Sequence, residues 1–361
     1  MTKAVVKKIG ILTSGGDAPG LNTAIRGLAR TCMQQYGIKI FGIQDGYRGL
    51  IQGQGGEMGD ADFSGILTRG GTILGTSRTK PFKNPVRDPK TGLLPIESIK
   101  KNYKKWSLDA LCVLGGNGTN TTGAMLAEEG FNVVGLPKTI DNDIIKTDVT
   151  FGFHTAVDVA TEAIDRLHTT AHSHNRIMVI EVMGHKAGWL GLYSGVAGGG
   201  DVILIPEIPY HIDSVAQHLN RRKDAGKPFS IVVVAEGALS EEESFLSKKE
   251  FKKRRKEMIG SIGYRVAREL EAATGLESRV SVLGYLQRGG IPSAYDRVLA
   301  TEFGVKAAHM VARGDFGKMV AKQGDAFLGV PLADVAGKVK SVKLDDSAIV
   351  CGREVDTCFG D

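Results

Sequence analysis

The sequence predicts an α/β protein with two three-layer domains whose sheets are mainly parallel. Short apolar runs of strand length alternate with segments of helical periodicity, which is the pattern of parallel sheets covered by helices. With 361 residues, the chain is longer than a single hydrophobic core usually supports. Its 48 glycines lie singly or in short groups between the apolar runs, so they indicate many tight turns between strands and helices.

Seven apolar runs are predicted to be buried strands, because each is short and is followed by turn-forming residues. The runs are Ile9–Leu12, Ile38–Ile43, Leu111–Leu114, Val133–Leu136, Ile177–Val182, Val202–Ile205 and Ile231–Ala235. A long helix is predicted after Asp143, where apolar residues recur at spacings of three and four. Its apolar positions are Ala156, Ala160, Ala163, Ile164 and Leu167.

The segment TSGGDAPG places Gly15 and Gly16 between the first predicted strand and a helix that begins near Leu21. Glycines at such a turn let backbone N–H groups approach an anion, and the positive end of the helix dipole favours phosphate. The spacing matches neither the dinucleotide fingerprint nor the P-loop. The turn therefore predicts a polyphosphate site, with an ordinary structural turn as the alternative.

The segment LDALCVLGGNGTNTTG repeats this arrangement, with Gly116 and Gly118 between a buried strand and a helix. Between the two glycine turns lies RGGTILGTSRTKPFKNP, whose cations are Arg69, Arg78, Lys80 and Lys83. A cationic loop there could neutralise phosphoryl charge during transfer. Scattered surface cations are the alternative for any one of them.

The segment PKTIDND, from Pro137 to Asp143, places a hydroxyl and two carboxylates at the end of a predicted strand. Ligands of open α/β sheets bind at the carboxyl ends of strands. A carboxylate at position 141 could accept the proton of an attacking hydroxyl group, and Asp143 could hold a metal-bound water or orient the first acid. Turn and N-cap residues are the alternative interpretation of the same pattern.

Composition and charge exclude several classes of protein. The net charge of +6 comes partly from SKKEFKKRRKEM, Ser247 to Met258, which mixes acids with its bases and has no interleaved aromatics. It is therefore interpreted as a solvated helix face rather than a nucleic-acid site. No apolar run approaches membrane-spanning length, and four cysteines without metal spacing suit a reducing cytoplasm.

The motifs TSGGDAPG, GGTILGTSR, GGNGT, PKTIDND, HNRIMVIEVMG, VVVAEG and LGYLQRGG occur in the order found in the 6-phosphofructokinase family, which the chain resembles over about residues 8 to 300. The resemblance implies two Rossmann-like domains. It also implies ATP-dependent phosphoryl transfer to the 1-hydroxyl group of fructose 6-phosphate in glycolysis, with Mg²⁺. The implied donor domain is 1–152 plus about 287–337, and the implied sugar-phosphate domain is about 153–286 plus 338–361.

Catalytic and donor-binding roles follow from the same resemblance. Asp141 is similar to the base that takes the proton of the sugar hydroxyl group, and Thr139 and Asp143 are similar to residues that hold the sugar and the metal shell. Residues that match the site of the transferring phosphoryl group are Gly15, Gly16 and Arg78. Residues that match the nucleotide-phosphate turn are Gly116, Asn117, Gly118 and Thr119, and those implied for the metal are Asn117 and Asp143.

The resemblance also implies the sugar-phosphate site. Residues that match the hexose site, besides Thr139, Asp141 and Asp143, are Met183, Gly184 and Glu236. Residues that match the site of the 6-phosphate are Arg176, Arg279, Tyr285 and Arg288. In the family Arg176 and Arg279 reach across from a neighbouring subunit, so a homo-oligomer, a tetramer or a dimer, is expected. Guanidinium groups suit phosphate because they donate in a planar fork.

Three residues depart from the family pattern. Asn117 stands where an acid is usual, so metal binding is expected to be weaker or to depend on Asp143. His185, followed by Lys186, stands where Arg is usual near the transferred phosphate. Tyr285 replaces a frequent His, and a phenol can still donate one hydrogen bond.

The phosphoryl donor is predicted to be ATP, because Gly118 leaves room for a nucleotide where pyrophosphate-dependent relatives carry Asp. Lys138, however, matches the pyrophosphate-dependent enzymes, so pyrophosphate is the alternative donor. An alternative from another class is a non-catalytic sensor of nucleotide and sugar phosphate, suggested by Asn117 and His185. Arg26 and Arg30 match two effector-site arginines of bacterial relatives, and weak or altered regulation is expected.

Overall fold

The computed structural model describes residues 6–257 and 259–361, so Met258 at the end of the predicted basic run lies outside the described residues. The chain forms two compact units. Unit 1 contains the described residues up to Ile140, Ile144–Thr155 and Arg288–Val339. Unit 2 contains Asp141–Asp143, Ala156–Gln287 and Lys340–Asp361.

The strands and helices of the described residues are numbered here in chain order. The strands are β1 Lys8–Ser14, β2 Lys39–Ile43, β3 Gly55–Met58, β4 Ala110–Gly115, β5 Val133–Pro137, β6 Ile177–Val182, β7 Val202–Leu204, β8 Ser230–Ala235, β9 Ser278–Val282, β10 Lys318–Gln323 and β11 Ala326–Pro331. The helices are α1 Leu21–Tyr36, α2 Tyr47–Gln52, α3 Pro95–Lys105, α4 Asn117–Glu128, α5 Phe153–His174, α6 Trp189–Ala197, α7 Ile212–Asp224, α8 Glu241–Ser244, α9 Lys248–Glu257, α10 Ile262–Thr274, α11 Ala294–Ala312, α12 Leu332–Val335 and α13 Ser347–Glu354.

Unit 1 is built on a seven-stranded sheet in the order β11-β10-β5-β4-β1-β2-β3. The five central strands are parallel, and only the two edge strands, β11 and β3, pair antiparallel with their neighbours. Every residue of β4 is buried, and Ile9, Ile11 and Leu12 of β1 are fully inaccessible. Burial on both faces is what a parallel sheet between two helix layers requires.

Unit 2 is built on a four-stranded parallel sheet in the order β7-β8-β6-β9. Its strands β6, β7 and β8 are buried throughout, and their apolar side chains form the cores on both faces of the sheet. The α/β class with mainly parallel sheets, predicted from the alternation of apolar runs and helical segments, is confirmed.

All seven predicted strands are present, with ends shifted by at most two residues, but four more strands lie outside the predicted runs. The edge strand β3 is glycine-rich, and β9 is short and half exposed, so neither forms an apolar run. Strands β10 and β11 form a hairpin whose two connecting residues are Gly324 and Asp325. A glycine–aspartate pair between two mainly apolar segments is a recognised turn signal, so this hairpin was predictable.

The structural division of the chain differs from the implied domain boundaries at the acidic segment. Asp141–Asp143 belongs to unit 2, although the sequence placed it in the first domain. The backbone N–H of Lys340 donates to the carbonyl oxygen of Asp143 (2.8 Å), and the Lys340 ammonium group donates to Asn142 Oδ1 (3.0 Å). These contacts with the returning C-terminal segment attach the three residues to unit 2.

The basic run forms helix α9 and lies on the surface of unit 2. Arg254 and Arg255 approach the buried carboxylate of Glu243, and Arg265 forms a bidentate pair with it at 2.6 and 2.7 Å. Lys252 and Lys253 are exposed. Within residues 6–257 and 259–361, no helix combines the length and the apolar character needed to cross a membrane.

Helix α5 begins at a buried carboxylate from helix α11. Asp296 is inaccessible to solvent and accepts hydrogen bonds from the backbone N–H groups of Gly152 (2.9 Å) and Thr155 (2.7 Å) and from the Thr155 hydroxyl group (2.6 Å). Burial raises the pKa of the Asp296 carboxyl group, while these hydrogen bonds oppose the rise. The carboxylate thus stabilises the start of α5 within unit 1.

Replacing Asp296 with alanine is expected to lower the free energy of unfolding by about 3 kcal/mol or more, because three buried donors lose their acceptor and each costs roughly 1–3 kcal/mol. Urea denaturation measures this change. The control is Glu302→Ala, which removes the same charge from an exposed position of α11 and is expected to change stability by about 0.5 kcal/mol or less. Equal stabilities of the two variants would contradict the assignment.

Candidate active site

Three predicted loops leave the sheet of unit 1 side by side. Strands β1, β4 and β5 are neighbours and parallel, and their last residues are in register, with Ser14 beside Gly115 and Gly115 beside Pro137. The loops that follow, TSGGD, GGNGT and PKTID, therefore start at the same edge of the sheet. This edge, formed by the carboxyl ends of parallel strands, is where α/β proteins bind ligands.

The turn after β1 is held by the cationic loop that precedes α3. Gly15 has a left-handed backbone (φ 87°), and its N–H donates to the carbonyl oxygen of Ser77 (2.9 Å). The hydroxyl group of Thr76 donates to the carbonyl oxygen of Gly15 (2.7 Å). Arg78 follows directly and is exposed. Arg78 therefore directly follows Thr76 and Ser77, the two residues that hydrogen-bond to Gly15.

Two cationic side chains lie against the first glycine turn. A Cβ atom at Gly16 would lie 2.8 Å from Nη1 of Arg288, so the guanidinium group covers this glycine. The same nitrogen donates to the carbonyl oxygen of Asp17 (3.0 Å). The ammonium group of Lys138, a residue only 2% exposed, donates to the carbonyl oxygen of Gly16. The turn therefore combines backbone amides with two positive charges, which suits a phosphoryl group.

The second glycine turn forms the beginning of helix α4, with Gly116 as N-cap and Asn117 as the first helical residue. A Cβ atom at Gly115 would lie 2.2 Å from Oγ1 of Thr119, so only glycine fits. The Thr119 hydroxyl group donates to the carbonyl oxygen of Ser14 (3.1 Å), which joins this turn to the end of β1. The first N–H groups of a helix and its dipole favour an anion at this position.

Gly118 has open space on the side where a side chain would be. A Cβ atom there would have only the side chain of Lys80 nearby, with Cε at 3.8 Å and Nζ at 4.0 Å. Lys80 is exposed and was noted in the sequence as part of the cationic loop. The structure therefore places its ammonium group close to the second glycine turn, which sequence spacing alone does not reveal.

The loop after β5 is braced within unit 1. The Thr150 hydroxyl group donates to the carbonyl oxygen of Thr139 (2.8 Å), and Lys138 forms a parallel bridge with Phe151. Thr139 is 5% exposed. Since Asp296 holds the adjacent N–H group of Gly152, a chain of contacts from α11 fixes the position of Thr139.

The carboxylates of the acidic segment belong to unit 2. Asp141 and Asp143 are 9% and 5% exposed, so both are largely shielded from water. Between them Asn142 has a left-handed backbone (φ 49°), a conformation that asparagine tolerates better than most residues. Non-glycine residues in this region cluster at functional sites. Because of this conformation at Asn142, the backbone between the two aspartates is not regularly extended.

The predicted hexose residues of unit 2 also follow neighbouring parallel strands. Met183 comes directly after β6 and Glu236 directly after β8, and the preceding residues Val182 and Ala235 are in register. The Glu236 carboxylate accepts a hydrogen bond from the backbone N–H of His185 (2.8 Å). Burial raises the pKa of the Glu236 carboxyl group, the His185 N–H opposes the rise, and the negative charge of Asp141 adds to it.

A tight backbone bend carries the Met183–Gly184 pair. Gly184 has φ 138°, and a Cβ atom there would lie 2.7 Å from the carbonyl oxygen of Ala187. His185 has a left-handed backbone (φ 54°), so the residue that departs from the family pattern also has an unusual conformation. The fully buried side chain of Gln287 accepts from the backbone N–H of Met183 (3.3 Å). Gln287 therefore supports the predicted hexose residues, a role that sequence reasoning missed.

The structure does not bring Arg176 and Arg279 together with Met183 and Glu236. Arg176 precedes β6 and Arg279 lies near the start of β9, so both are at the amino end of the sheet, about 20 Å along the strand from Met183. The two guanidinium groups pair with the same carboxylate, that of Glu277. The sequence analysis did not identify Glu277, although an acid two residues before Arg279 is a signal for an ion pair.

Tyr285 and the predicted metal ligands complete the set of candidates. Tyr285 is 74% exposed in unit 2. Asn117 lies in unit 1 and Asp143 in unit 2. Within the described ranges, no cluster of three or more histidine, cysteine or acidic side chains forms a metal site. Magnesium usually takes only one or two carboxylates, and water and substrate phosphates supply the other oxygens, so a single carboxylate such as that of Asp143 is a suitable ligand.

Comparisons with known proteins agree over most of the chain. A family model described as Phosphofructokinase matches residues 8–311. The chain is 60% identical over 364 residues to an ATP-dependent 6-phosphofructokinase of Spirochaeta thermophila, covering 100% of both chains. It is 46% identical to a pyrophosphate–fructose 6-phosphate 1-phosphotransferase of Streptomyces coelicolor, covering 98% of this chain and 100% of the relative. The structure of Pichia pastoris phosphofructokinase in the T-state is similar with a TM-score of 0.79 at 34% identity, covering 91% of this chain and 35% of that one.

Proposed function

The chain belongs to the phosphofructokinase family, and from this premise we propose how it transfers the γ-phosphoryl group of ATP to the 1-hydroxyl group of fructose 6-phosphate. The products of this glycolytic reaction are fructose 1,6-bisphosphate and ADP. The observation that carries the proposal is that two glycine turns and the PKTID loop follow three neighbouring parallel strands. Such an arrangement positions phosphates and the attacking group relative to one another, which is most of what phosphoryl transfer needs.

In this proposal the donor binds to residues of unit 1. The backbone turn at Gly15, the backbone N–H group of Gly16 and the Arg78 guanidinium group hold the transferring phosphoryl group. The other phosphates of the nucleotide bind at the start of α4, at Gly116, Gly118 and Thr119. The support is the left-handed turn at Gly15 and the helix N-terminus at Asn117. The Lys80 ammonium group next to the second turn stabilises the charge that develops during transfer.

Asp141 acts as the general base. Its carboxylate accepts the proton of the 1-hydroxyl group as that oxygen forms a bond to the γ-phosphorus and the bond to ADP breaks. Thr139, Met183, Gly184 and Glu236 hold the hexose. The support for Glu236 is its placement after β8 and its hydrogen bond from His185, which leaves the second carboxylate oxygen to accept from a sugar hydroxyl. General-base catalysis of this kind contributes about 100-fold to 10,000-fold in rate.

Asp143 and Asn117 would hold magnesium through their side-chain oxygens, with Asp143 supplying the charged ligand to the metal or its water shell. When bound, the ion neutralises charge on the donor phosphates. Because Asn117 brings a neutral oxygen where relatives usually have an acid, Asp143 carries more of the metal binding in this chain. A single unit charge at about 4 Å is worth of order 4 kcal/mol at an effective dielectric constant of 20, before compensation.

The 6-phosphate of the sugar binds to guanidinium groups and a phenol. Arg288 and Tyr285 contribute from one subunit, and Arg176 and Arg279 contribute across an interface in a homo-oligomer, a tetramer or a dimer. Their separation from Met183 along β6 supports a role for these two arginines outside their own subunit. The substrates carry several charges and do not cross a bilayer unaided, so the enzyme is proposed to work in the cytoplasm.

A second candidate function uses pyrophosphate as the donor. The observation that favours it is the buried Lys138 ammonium group on the carbonyl oxygen of Gly16, at the position where pyrophosphate-dependent relatives have lysine. Gly118 opposes it, because the open space beside this glycine leaves room for a nucleotide.

One assay tests the proposal and separates the donors. The purified protein is mixed with fructose 6-phosphate and magnesium and with either ATP or pyrophosphate, and fructose 1,6-bisphosphate is measured. We expect product with ATP at a kcat/KM well above that with pyrophosphate. A preference for pyrophosphate would establish the second candidate function. Thermal stabilisation by ATP and by fructose 6-phosphate without any product would indicate a non-catalytic sensor and overturn the kinase assignment.

A further inference from the structure

Unit 2 contains a cavity whose lining residues have no part in the proposed reaction. Its volume is about 320 Å³, and it lies between helix α7 and the chain from Arg353 to Asp361. Cavities that bind small molecules usually measure about 300–1,000 Å³, so this one suits a ligand of few atoms.

Helix α7 lines the cavity with one polar face. The residues of this face occupy positions i, i+3, i+4 and i+7, which share one side of a helix. They are Ser214, Gln217, His218 and Arg221. Val215 and Leu219 of the same helix are buried in the core. The helix thus anchors itself through its apolar face and presents hydrogen-bonding side chains to the cavity.

His218 has a buried donor that nothing in the described chain satisfies. The residue is 4% exposed, and its Nδ1 lies 3.4 Å from Nη2 of Arg221. A guanidinium group only donates, so Nδ1 accepts and the ring proton is on Nε2. Burial lowers the pKa of His218 and so favours the neutral ring, while the negative charge of Asp356 opposes this shift. Among residues 6–257 and 259–361, the buried Nε2 has no hydrogen-bond partner, and a buried donor of this kind gains from any acceptor that reaches it.

The opposite wall is held in place by an ion pair. The Arg353 guanidinium group pairs with the carboxylate of Asp361 (2.5 Å) and stacks on the Phe359 ring, with its central carbon 5.3 Å from the ring centre. These contacts neutralise Arg353 and fix its orientation. Arg221 on helix α7, by contrast, has no ion-pair partner within the described ranges. Asp356, which lies on the same wall as Arg353, is exposed.

The charges around the cavity are balanced. Arg221 and Arg353 carry two positive charges, and Asp356 and Asp361 carry two negative ones, while His218 is neutral. A free inorganic phosphate would meet both carboxylates and is therefore disfavoured. A ligand with one negative and one positive group would match Arg221 and His218 at one end and Asp356 at the other.

We propose that this cavity binds a free α-amino acid as a zwitterion. The ligand carboxylate accepts hydrogen bonds from the Arg221 guanidinium group and from His218 Nε2, and the ligand ammonium group donates to Asp356. Ser214, Gln217 and Thr357 line the remaining wall and select among side chains. None of the lining residues belongs to the proposed catalytic site, so binding in this cavity does not depend on kinase activity.

Titration calorimetry with each standard amino acid in turn, at millimolar concentration, tests the proposal on the full chain. At least one amino acid is expected to bind and to raise the melting temperature. Acetate, methylamine and inorganic phosphate carry only one of the two charges and are expected to give no comparable shift. The absence of binding by every amino acid, or an equal shift with phosphate, would overturn the zwitterion site.

Two variants connect binding to the named residues. Arg221→Ala is expected to weaken binding about tenfold to a hundredfold, the usual loss for a charge-assisted hydrogen bond. Lys223→Ala is the matched control, because it removes the same charge from an exposed position of α7 outside the cavity, and it should bind as the parent does. His218→Leu removes the unsatisfied donor and should keep the melting temperature while abolishing binding. Unchanged affinity in the Arg221 variant would contradict the proposal.

Discussion

Replacing Asp141 with asparagine is expected to lower kcat about 100-fold or more, with a much smaller change in the KM for fructose 6-phosphate. Asparagine preserves the size of the side chain and its ability to accept hydrogen bonds, but it does not accept the proton of the 1-hydroxyl group. Asp141 is 9% exposed. Burial and the negative charge of Asp141 both raise the pKa of the Glu236 carboxyl group, so these two carboxylates interact, and only Asp141 is proposed as the base. The loss should therefore appear in the chemical step.

Steady-state kinetics with saturating ATP and magnesium measures this effect, and a thermal melt verifies that the variant is folded. The control is Asp158→Asn, which makes the same substitution at an exposed position of α5 and should leave kcat unchanged. A folded Asp141→Asn variant with near-normal turnover would remove Asp141 from the role of base. The proposed function would then need another acceptor for the proton.

The sheet and its loops were largely predictable from local sequence patterns. Buried parallel strands appear as short apolar runs, and the runs Ile9–Leu12 and Leu111–Leu114 lie within β1 and β4. The register that sets Ser14 beside Gly115 depends on pairing between residues about a hundred positions apart. No local sequence pattern specifies that pairing. The fold class therefore predicts that the two glycine turns are near each other, but it does not predict the register between their strands.

The contacts of charged side chains were much less predictable. Long side chains such as Arg288 and Lys80 reach partners that are distant in sequence, and their direction depends on the space that packing leaves. The pairing of Arg176 and Arg279 through Glu277 has the same origin, since it arises only when β6 and β9 become neighbours. Sequence motifs identified these arginines as important, and the fold determined which end of the sheet they occupy.

The assignment of Asp141–Asp143 to unit 2 shows the same limit. The motif PKTIDND is continuous in sequence, and its first residues end β5 in unit 1. The contacts of Lys340 with Asn142 and Asp143 come from a segment that returns after almost two hundred residues. A boundary set by such a return is invisible to composition, periodicity or turn signals.

Replacing Gly118 with aspartate is expected to lower kcat/KM for ATP about 100-fold or more, which corresponds to roughly 2.7 kcal/mol. The new carboxylate would lie at the start of α4, where the nucleotide phosphates are proposed to bind, and would repel them. It would also pair with the Lys80 ammonium group, which lies 4.0 Å from the position of the new Cβ atom. The fold should be unaffected, because the space is open and an acid in the first turn of a helix is favourable.

Two further substitutions at the same position separate charge from bulk. Gly118→Ala adds only a methyl group at ordinary contact distance from Lys80 and should retain most of the ATP activity. Gly118→Asn has the size of aspartate without its charge, so the difference between Asn and Asp measures the electrostatic part of the loss. If the aspartate variant used ATP as well as the parent protein does, the nucleotide phosphates would not bind at the start of α4. The open space beside this glycine would then no longer favour ATP, and Lys138 would remain as a residue of the site that favours pyrophosphate.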